Sequence, residues 1–208
     1  MTGCYLGVDV GSSDTRALLC DAGGQVLGFG RGGPGNHEVV GYAGLIQALR
    51  KAVNLALTAA GLRIHDVRGA GFGVSGYDWP SERQPTLDAI TALELHAPLE
   101  LVNDTILGLV AGASQGWGTA AVDGYGRTRR DGVRTQQRVG RVTGHGLWMG
   151  ESAGASELLH QAVRALAHQW TRRGPTTALT PLFLENTGCA SLEALVEALA
   201  TGRLRLEG

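Results

Sequence analysis

Over Tyr5–Gly33 the apolar residues come in short runs broken by Gly, Asp and Ser; beyond that loop they recur in four-residue steps. Short runs bounded by turn residues mark strands rather than helices. Tyr5–Val10, Thr15–Asp21 and Gln25–Arg31 are therefore predicted as three strands, with turns at Gly11–Asp14 and Ala22–Gly24. Gly32–His37 leaves no room for regular structure. Leu45, Leu49, Val53 and Leu57 then step along one face while Arg50 and Lys51 point away, and Gly61 is a stop. That pattern predicts a helix over Tyr42–Ala60. Val67–Ser75 reads as a strand of small residues, Gly76–Pro80 as a loop and Glu82–Leu93 as a helix. Pro98–Val102 is a short buried strand, and Asn103-Asp104 opens a helix running to Ala113.

The resulting β-β-β-α-β-α-β-α order predicts an α/β domain of ribonuclease-H-like type, with helices on both faces of the sheet. The theme restarts after Gln115–Gly118. Thr119–Asp123 and Val133–Val142 read as strands with an Arg-rich turn between them. A long helix follows over Glu151–Arg173, with Leu159, Val163, Leu166 and Trp170 as its apolar stripe. Thr180-Pro181 caps a short helix and Ser191 another that ends near Ala200. The expected organisation is a complete lobe over 1–115 and an incomplete second lobe over 116–208.

Composition narrows the function classes. At 208 residues and 43% hydrophobic content the chain has enough for one good core or two small ones. A net charge of −1 gives no footprint for nucleic acid or an anionic membrane. Cys4, Cys20 and Cys189 form no C-x-x-C and no metal-ligand spacing. With no signal-peptide pattern and no run of membrane-span length, the expectation is a cytoplasmic protein in a reducing compartment.

Three places could carry chemistry. Asp9 ends an apolar strand, where a carboxylate is unwelcome without a partner. After it, Gly11, Ser12 and Ser13 offer bare N–H groups and hydroxyls that suit phosphate oxygens, and Asp9 suits a hydrated Mg²⁺ beside them. The same residues also make a plain hairpin turn. Asp104, at a strand-to-helix junction where α/β sheets bind ligands, is either a reactive carboxylate or an N-cap. Glu151, after the Gly-rich stretch Gly140–Gly150, is either a hydroxyl acceptor or a first-turn acid that compensates the helix dipole.

DVGSSDT, the second strand and the Gly-rich third strand together resemble the first phosphate motif (D-x-G-G-T-K-T in many members) of the actin-like sugar kinases. More narrowly, the chain resembles the N-acetylglucosamine kinase branch of the BadF/BadG/BcrA/BcrD-type ATPase family, in order as far as about Ala200. The resemblance implies an actin-like ATPase fold and transfer of the γ-phosphoryl group of ATP to an amino sugar, with Mg²⁺. It places Asp104 as the catalytic base and Asn103 beside it to fix the hydroxyl. Gly11, Ser12, Ser13 and Thr15 would hold phosphate, with Asp9 toward the metal. Gly144, Gly146 and Glu151 in the Gly-rich loop would hold the sugar, together with Asn36; Ser75 and Asp78 face the same cleft. Members carry two copies of the domain, so this chain is expected to lack the final strands and adenosine loop of the second. Pairing into a homodimer is a further expectation.

The chain departs from the family at Asp123–Arg127, where S-G-T-G-S is usual. Gly124 and Gly126 remain as phosphate-loop glycines, but Asp123 and Tyr125 replace small hydroxyl residues. A carboxylate about 4 Å from a phosphate oxygen costs on the order of 1 kcal/mol in water and about 4 at partial burial. A truncated relative that binds sugar without turnover is therefore the competing expectation. An ATPase activating a radical dehydratase would need cluster-holding cysteines, which the three present do not supply.

Overall fold

The computed structural model describes residues 3–115, 117–123, 128–134, 137–142, 149 and 154–205. β1 (Cys4–Val10) and β2 (Thr15–Cys20) bury every second residue, as half-covered strands must. They pair antiparallel, with Val10 opposite Thr15, and β2 pairs antiparallel with β3 (Val26–Arg31). β4 (Val67–Val74) and β5 (Leu99–Val102) join in parallel on the other side, giving the order β3-β2-β1-β4-β5. α1 (His37–Ala60) and α2 (Arg83–Thr91) make the crossovers, and α3 (Asp104–Gly112) follows β5. This is the ribonuclease-H-like order read from the sequence. Its core joins Leu6, Val8, Val10, Ala17 and Leu19 of the sheet to Leu45, Leu49 and Val53 of α1, with Phe72, Val74 and Ile90.

α1 lies almost on the backbone of β3. A Cβ at Gly28 would meet the Ala56 carbonyl, and one at Gly30 the Ala52 carbonyl; at Gly32 it would meet Ala48. Two strand residues span about 6.6 Å and four helix residues about 6 Å, so a glycine at every second strand position matches an alanine at every fourth helix position. The helix also starts earlier than the pattern indicates. Asn36 caps a first turn, His37–Val40, and Gly41 at φ 67, ψ 171 breaks the helix before it resumes at Tyr42. The Leu-step periodicity is visible only from the resumption onward.

Beyond α3, β6 (Gly118–Asp123), β7 (Thr128–Arg134) and β8 (Gln137–Val142) form a three-stranded sheet in that order. The segment read as an Arg-rich turn is thus largely a middle strand. Backbone pairing on both sides holds such a strand, and side-chain pattern does not reveal it. α4 (Ala155–Trp170) begins after Gly154 (φ 94), four residues later than expected. Of its expected stripe, Leu166 is fully buried while Trp170 is 46% exposed. α5 (Leu179–Thr187) and α6 (Leu192–Ala200) follow, the latter capped by Ser191 accepting from Ala194 N at 3.2 Å. The chain divides into two compact units, Met1–Ala120 with Asp131–Gly140 and Ala121–Arg130 with Arg141–Gly208. Among the described residues no helix is long and apolar enough to cross a membrane.

Candidate functional site

Parallel strands β1, β4 and β5 all end at the same edge of the sheet, and each hands a polar residue to that edge. β1 ends at Asp9-Val10. The turn after it is closed by Gly11 N–H donating to Asp14 O at 2.8 Å. Ser12 and Ser13 are exposed at its tip, and among the described residues their N–H groups take no part in backbone hydrogen bonds. The Gly11 N–H expected to stay bare is thus spent on the turn, and the N–H groups of Ser12 and Ser13 are the ones left to suit phosphate oxygens.

Asn36 locks onto this loop from α1. Gly35 and Asn36 N–H groups both donate to Gly11 O (3.0 and 3.3 Å), and Asn36 Nδ2 donates to Ser12 Oγ at 3.1 Å and Ser75 Oγ at 3.4 Å. Its Oδ1 accepts from Glu38 N at 2.9 Å, which is the helix cap. Asn36 is only 6% exposed. A single buried amide thus ties the ends of β1, β4 and α1 together.

Asp104 opens α3 and accepts from its neighbour's N–H, Thr105 N, at 3.0 Å. Burial pushes its carboxyl up to about 6, and the charge of Asp9 adds to the rise; the bonds from Thr105 and the Ser75 hydroxyl pull the other way. A carboxylate poised near neutrality suits proton transfer. Asp9 is likewise raised by burial, against the opposing charge of Arg16, whose Nη1 lies 3.8 Å away. With its side chain 47% exposed beside the donor loop, Asp9 fits the one-carboxylate share that Mg²⁺ usually takes when substrate phosphates and water complete its shell.

The Asp104 value has a measurable consequence in the absence of any ligand. A carboxyl raised from 3.8 to about 6 on folding holds its proton more tightly in the native state. Its contribution therefore falls as pH rises through that window and stays lost above it. Asp104→Asn removes the penalty and should raise stability at pH 8 by on the order of 2–3 kcal/mol. Denaturant titrations at pH 8 and pH 4 check this: the gain should shrink at pH 4, and an equal gain at both would refute it.

Two further expected ligand-binding residues are buried, as Asn36 is. Thr15 is fully buried beneath Gly35, where a Cβ would meet its Oγ1 at 2.6 Å, so it shapes the phosphate loop from below. Asn103 is 7% exposed and caps α3, accepting from Thr105 N at 3.1 Å. Its Nδ2 faces Val74 O, Tyr77 O and Asp78 Oδ1 at 3.2–3.3 Å. It clamps the β4 loop to β5 and holds Asp104 in place. Gly124, Gly126, Gly144, Gly146 and Glu151 lie outside the described residues, and of Asp123 only its place at the end of β6 is described. Among the described residues no group of three His, Cys, Asp or Glu is placed to hold a metal by itself.

One cluster escaped the sequence reading. Asp14 Oδ2 accepts from Arg16 Nε (3.1 Å) and Arg31 Nε (2.8 Å), and the Arg31 bond leads in holding its carboxyl below the usual range. Arg16 and Arg31 are direct partners across β2 and β3. That register was the available signal.

Residues 6–202 match the model of the BadF/BadG/BcrA/BcrD ATPase family. Among solved structures, a candidate N-acetylglucosamine kinase from Chromobacterium violaceum superposes with a TM-score of 0.71 at 23% identity, over 98% of this chain and 70% of its own. A second candidate N-acetylglucosamine kinase, from Porphyromonas gingivalis, gives 0.66 at 18% identity, over 95% of this chain and 66% of its own. The ethanolamine utilization protein EutJ from Carboxydothermus hydrogenoformans gives 0.54 at 15%, over 83% and 58%. At these identities the likeness is one of fold.

Proposed function

The chain belongs to the BadF/BadG/BcrA/BcrD ATPase family, and from that premise we propose that it is an ATP-dependent kinase acting on an amino sugar of the N-acetylglucosamine type. The observation that carries this reading is the placement of Asp104, partly buried and raised to about 6, at the same sheet edge as the Gly11–Ser13 donor loop and Asp9. Asp104 takes the proton of the acceptor hydroxyl as that oxygen bonds to the γ-phosphorus of ATP. The bond from that phosphorus to the β,γ-bridging oxygen breaks, and ADP departs with the electron pair. Ser12 and Ser13 supply donors to the phosphates, while Gly11, whose N–H is taken by Asp14 O, shapes the turn that presents them. Asp9 holds hydrated Mg²⁺, which neutralises phosphate charge when bound. A sugar hydroxyl reaching Asn36 would replace Ser12 or Ser75 as its partner. Gly124 and Gly126 are assigned to the second phosphate wall and Gly144, Gly146 and Glu151 to the sugar, within a second lobe over 116–208.

A second reading, sugar binding without turnover, draws support from Asp123 and Tyr125 in the second phosphate motif. Calorimetric titration with ATP·Mg²⁺ and with N-acetylglucosamine separately, alongside detection of phosphorylated sugar, decides between the two. The proposal expects sugar binding, weak nucleotide binding toward the millimolar range, and a phosphosugar product. Lack of product from any amino sugar tested, with sugar still bound, would favour the second reading. Tight micromolar ATP binding would overturn the expected effect of Asp123 and Tyr125.

A further inference from the structure

The Ser75 hydroxyl stands between the phosphate-type loop and the carboxylate proposed as base. The fold delivers it there by two devices. Its N–H donates to Val10 O at 2.9 Å, which fastens the end of β4 to the end of β1. Immediately after it Gly76, at φ 84, turns the chain away, and any side chain at 76 would run into the Asn36 Oδ1. The close approach of Ser75 to Asn36 thus depends on a residue without a Cβ.

Asn36 divides its two amide protons between Ser12 Oγ and Ser75 Oγ, at 3.1 and 3.4 Å. A hydroxyl that accepts from an amide keeps its own proton to donate. β4 and β5 pair in register at Gly73 and Val102, so Ser75 and Asp104 follow at neighbouring strand ends, where the Ser75 hydroxyl favours the ionised form of Asp104. Ser12, Asn36 and Ser75 therefore form one polar chain, built from residues far apart in sequence, that runs from the loop tip to the strand end beside Asp104. Resting on the kinase reading, we propose that Ser75 is a positioning residue: it accepts from Asn36, donates to the Asp104 carboxylate, and fixes the base relative to the loop that holds the γ-phosphoryl group. It acts through Asp104 and takes no proton from the sugar itself. Outer-shell partners that orient metal ligands account for about ten- to a hundredfold of activity, and a partner that orients a catalytic carboxylate is expected to act on the same scale.

The test compares full-length wild type with Ser75→Ala and Ser75→Thr, each confirmed folded by its melting curve. Kinetics with N-acetylglucosamine at saturating ATP·Mg²⁺ should show kcat of Ser75→Ala down about ten- to a hundredfold, with KM within about threefold. Ser75→Thr keeps the hydroxyl and should restore kcat to within about threefold of wild type. In the protein without ligand, the side-chain amide resonances of Asn36 should shift in Ser75→Ala and stay near their wild-type positions in Ser75→Thr. An unchanged kcat in Ser75→Ala, or a rise in KM alone, overturns the positioning role. Absence of product from wild type overturns the kinase reading instead. The Asn36 resonances then still decide the network: if Ser75→Ala leaves them unmoved, the polar chain is refuted as well.

Discussion

On the kinase proposal, Asp104→Asn is expected to lower turnover of the acceptor sugar by about 10³-fold while sugar affinity stays within about threefold. The substitution is nearly isosteric, and its Oδ1 can still accept from Thr105 N, so the start of α3 keeps its cap geometry. What disappears is a basic oxygen with an affinity for protons near neutrality, raised there by burial and by Asp9. General-base assistance is worth about 10²–10⁴ in rate, and little in the ground state, since the hydroxyl proton moves only as the oxygen–phosphorus bond forms. Steady-state kinetics paired with calorimetric sugar titration separates the two. Wild-type turnover in the variant would remove Asp104 from the chemistry. Lost sugar binding with unchanged kcat would recast it as a binding residue. The same variant is expected to be the more stable protein at pH 8. Lower activity with higher stability is what a partly buried carboxylate kept for function predicts.

The first lobe was legible because its elements obey simple periods. β1 alternates buried and open positions, α1 steps its leucines by four, and turn residues punctuate both. Strand ends in a parallel sheet converge on one edge, and both Asp9 and Asp104 stand at strand ends in the sequence. The same strand phase turns the Thr15 hydroxyl inward. Thr15 is in phase with Ala17 and Leu19, all three fully buried. A motif match reads the residue type and not the phase. Asn103 is a related case. Asn before a helix is a cap first, and the three partners gathered at its Nδ2 belong to the β4 end and the loop after it.

Other features were not there to be read. β7 is a middle strand carried by backbone pairing, and TRRDGVR has no apolar alternation to announce it. The bonds from Asn36 to Ser12 and Ser75 cross 24 and 39 positions of chain. Only the closure of β1 against β4, together with a bare Gly76, brings them within reach. Hydrogen-bonded networks of this kind are products of tertiary placement, and no single-sequence period encodes them.

Gly30→Ala is expected to be among the most damaging single-methyl additions in the chain, although Gly30 touches no candidate ligand. Its Cβ would lie 2.6 Å from Ala56 N and 2.9 Å from Leu55 Cβ, and closer still to the Ala52 carbonyl. Two of these obstacles are helix backbone, which cannot rotate aside as a side chain can. α1 would have to lift from β3, and Leu49 and Val53, buried on the same helix, would lose their fit to the sheet. Overpacking a core costs about 1–3 kcal/mol when side chains can adjust, and a rigid obstacle places this case at about 3 or above. For a chain of this size that is a fall in Tm of roughly 6–12 °C. Gly7→Ala supplies the contrast. Gly7 also sits inside a strand of the same sheet, yet a Cβ there meets nothing within 4 Å, so the variant should melt within about 2 °C of wild type. The two melting curves measured together isolate helix–strand contact from any general cost of replacing a strand glycine. Equal melting temperatures would show that α1 does not ride on the β3 backbone. A large loss confined to Gly30→Ala would also explain how Asn36 is held, because the helix that rests on those glycines is the one that carries Asn36 to the loop at Gly11.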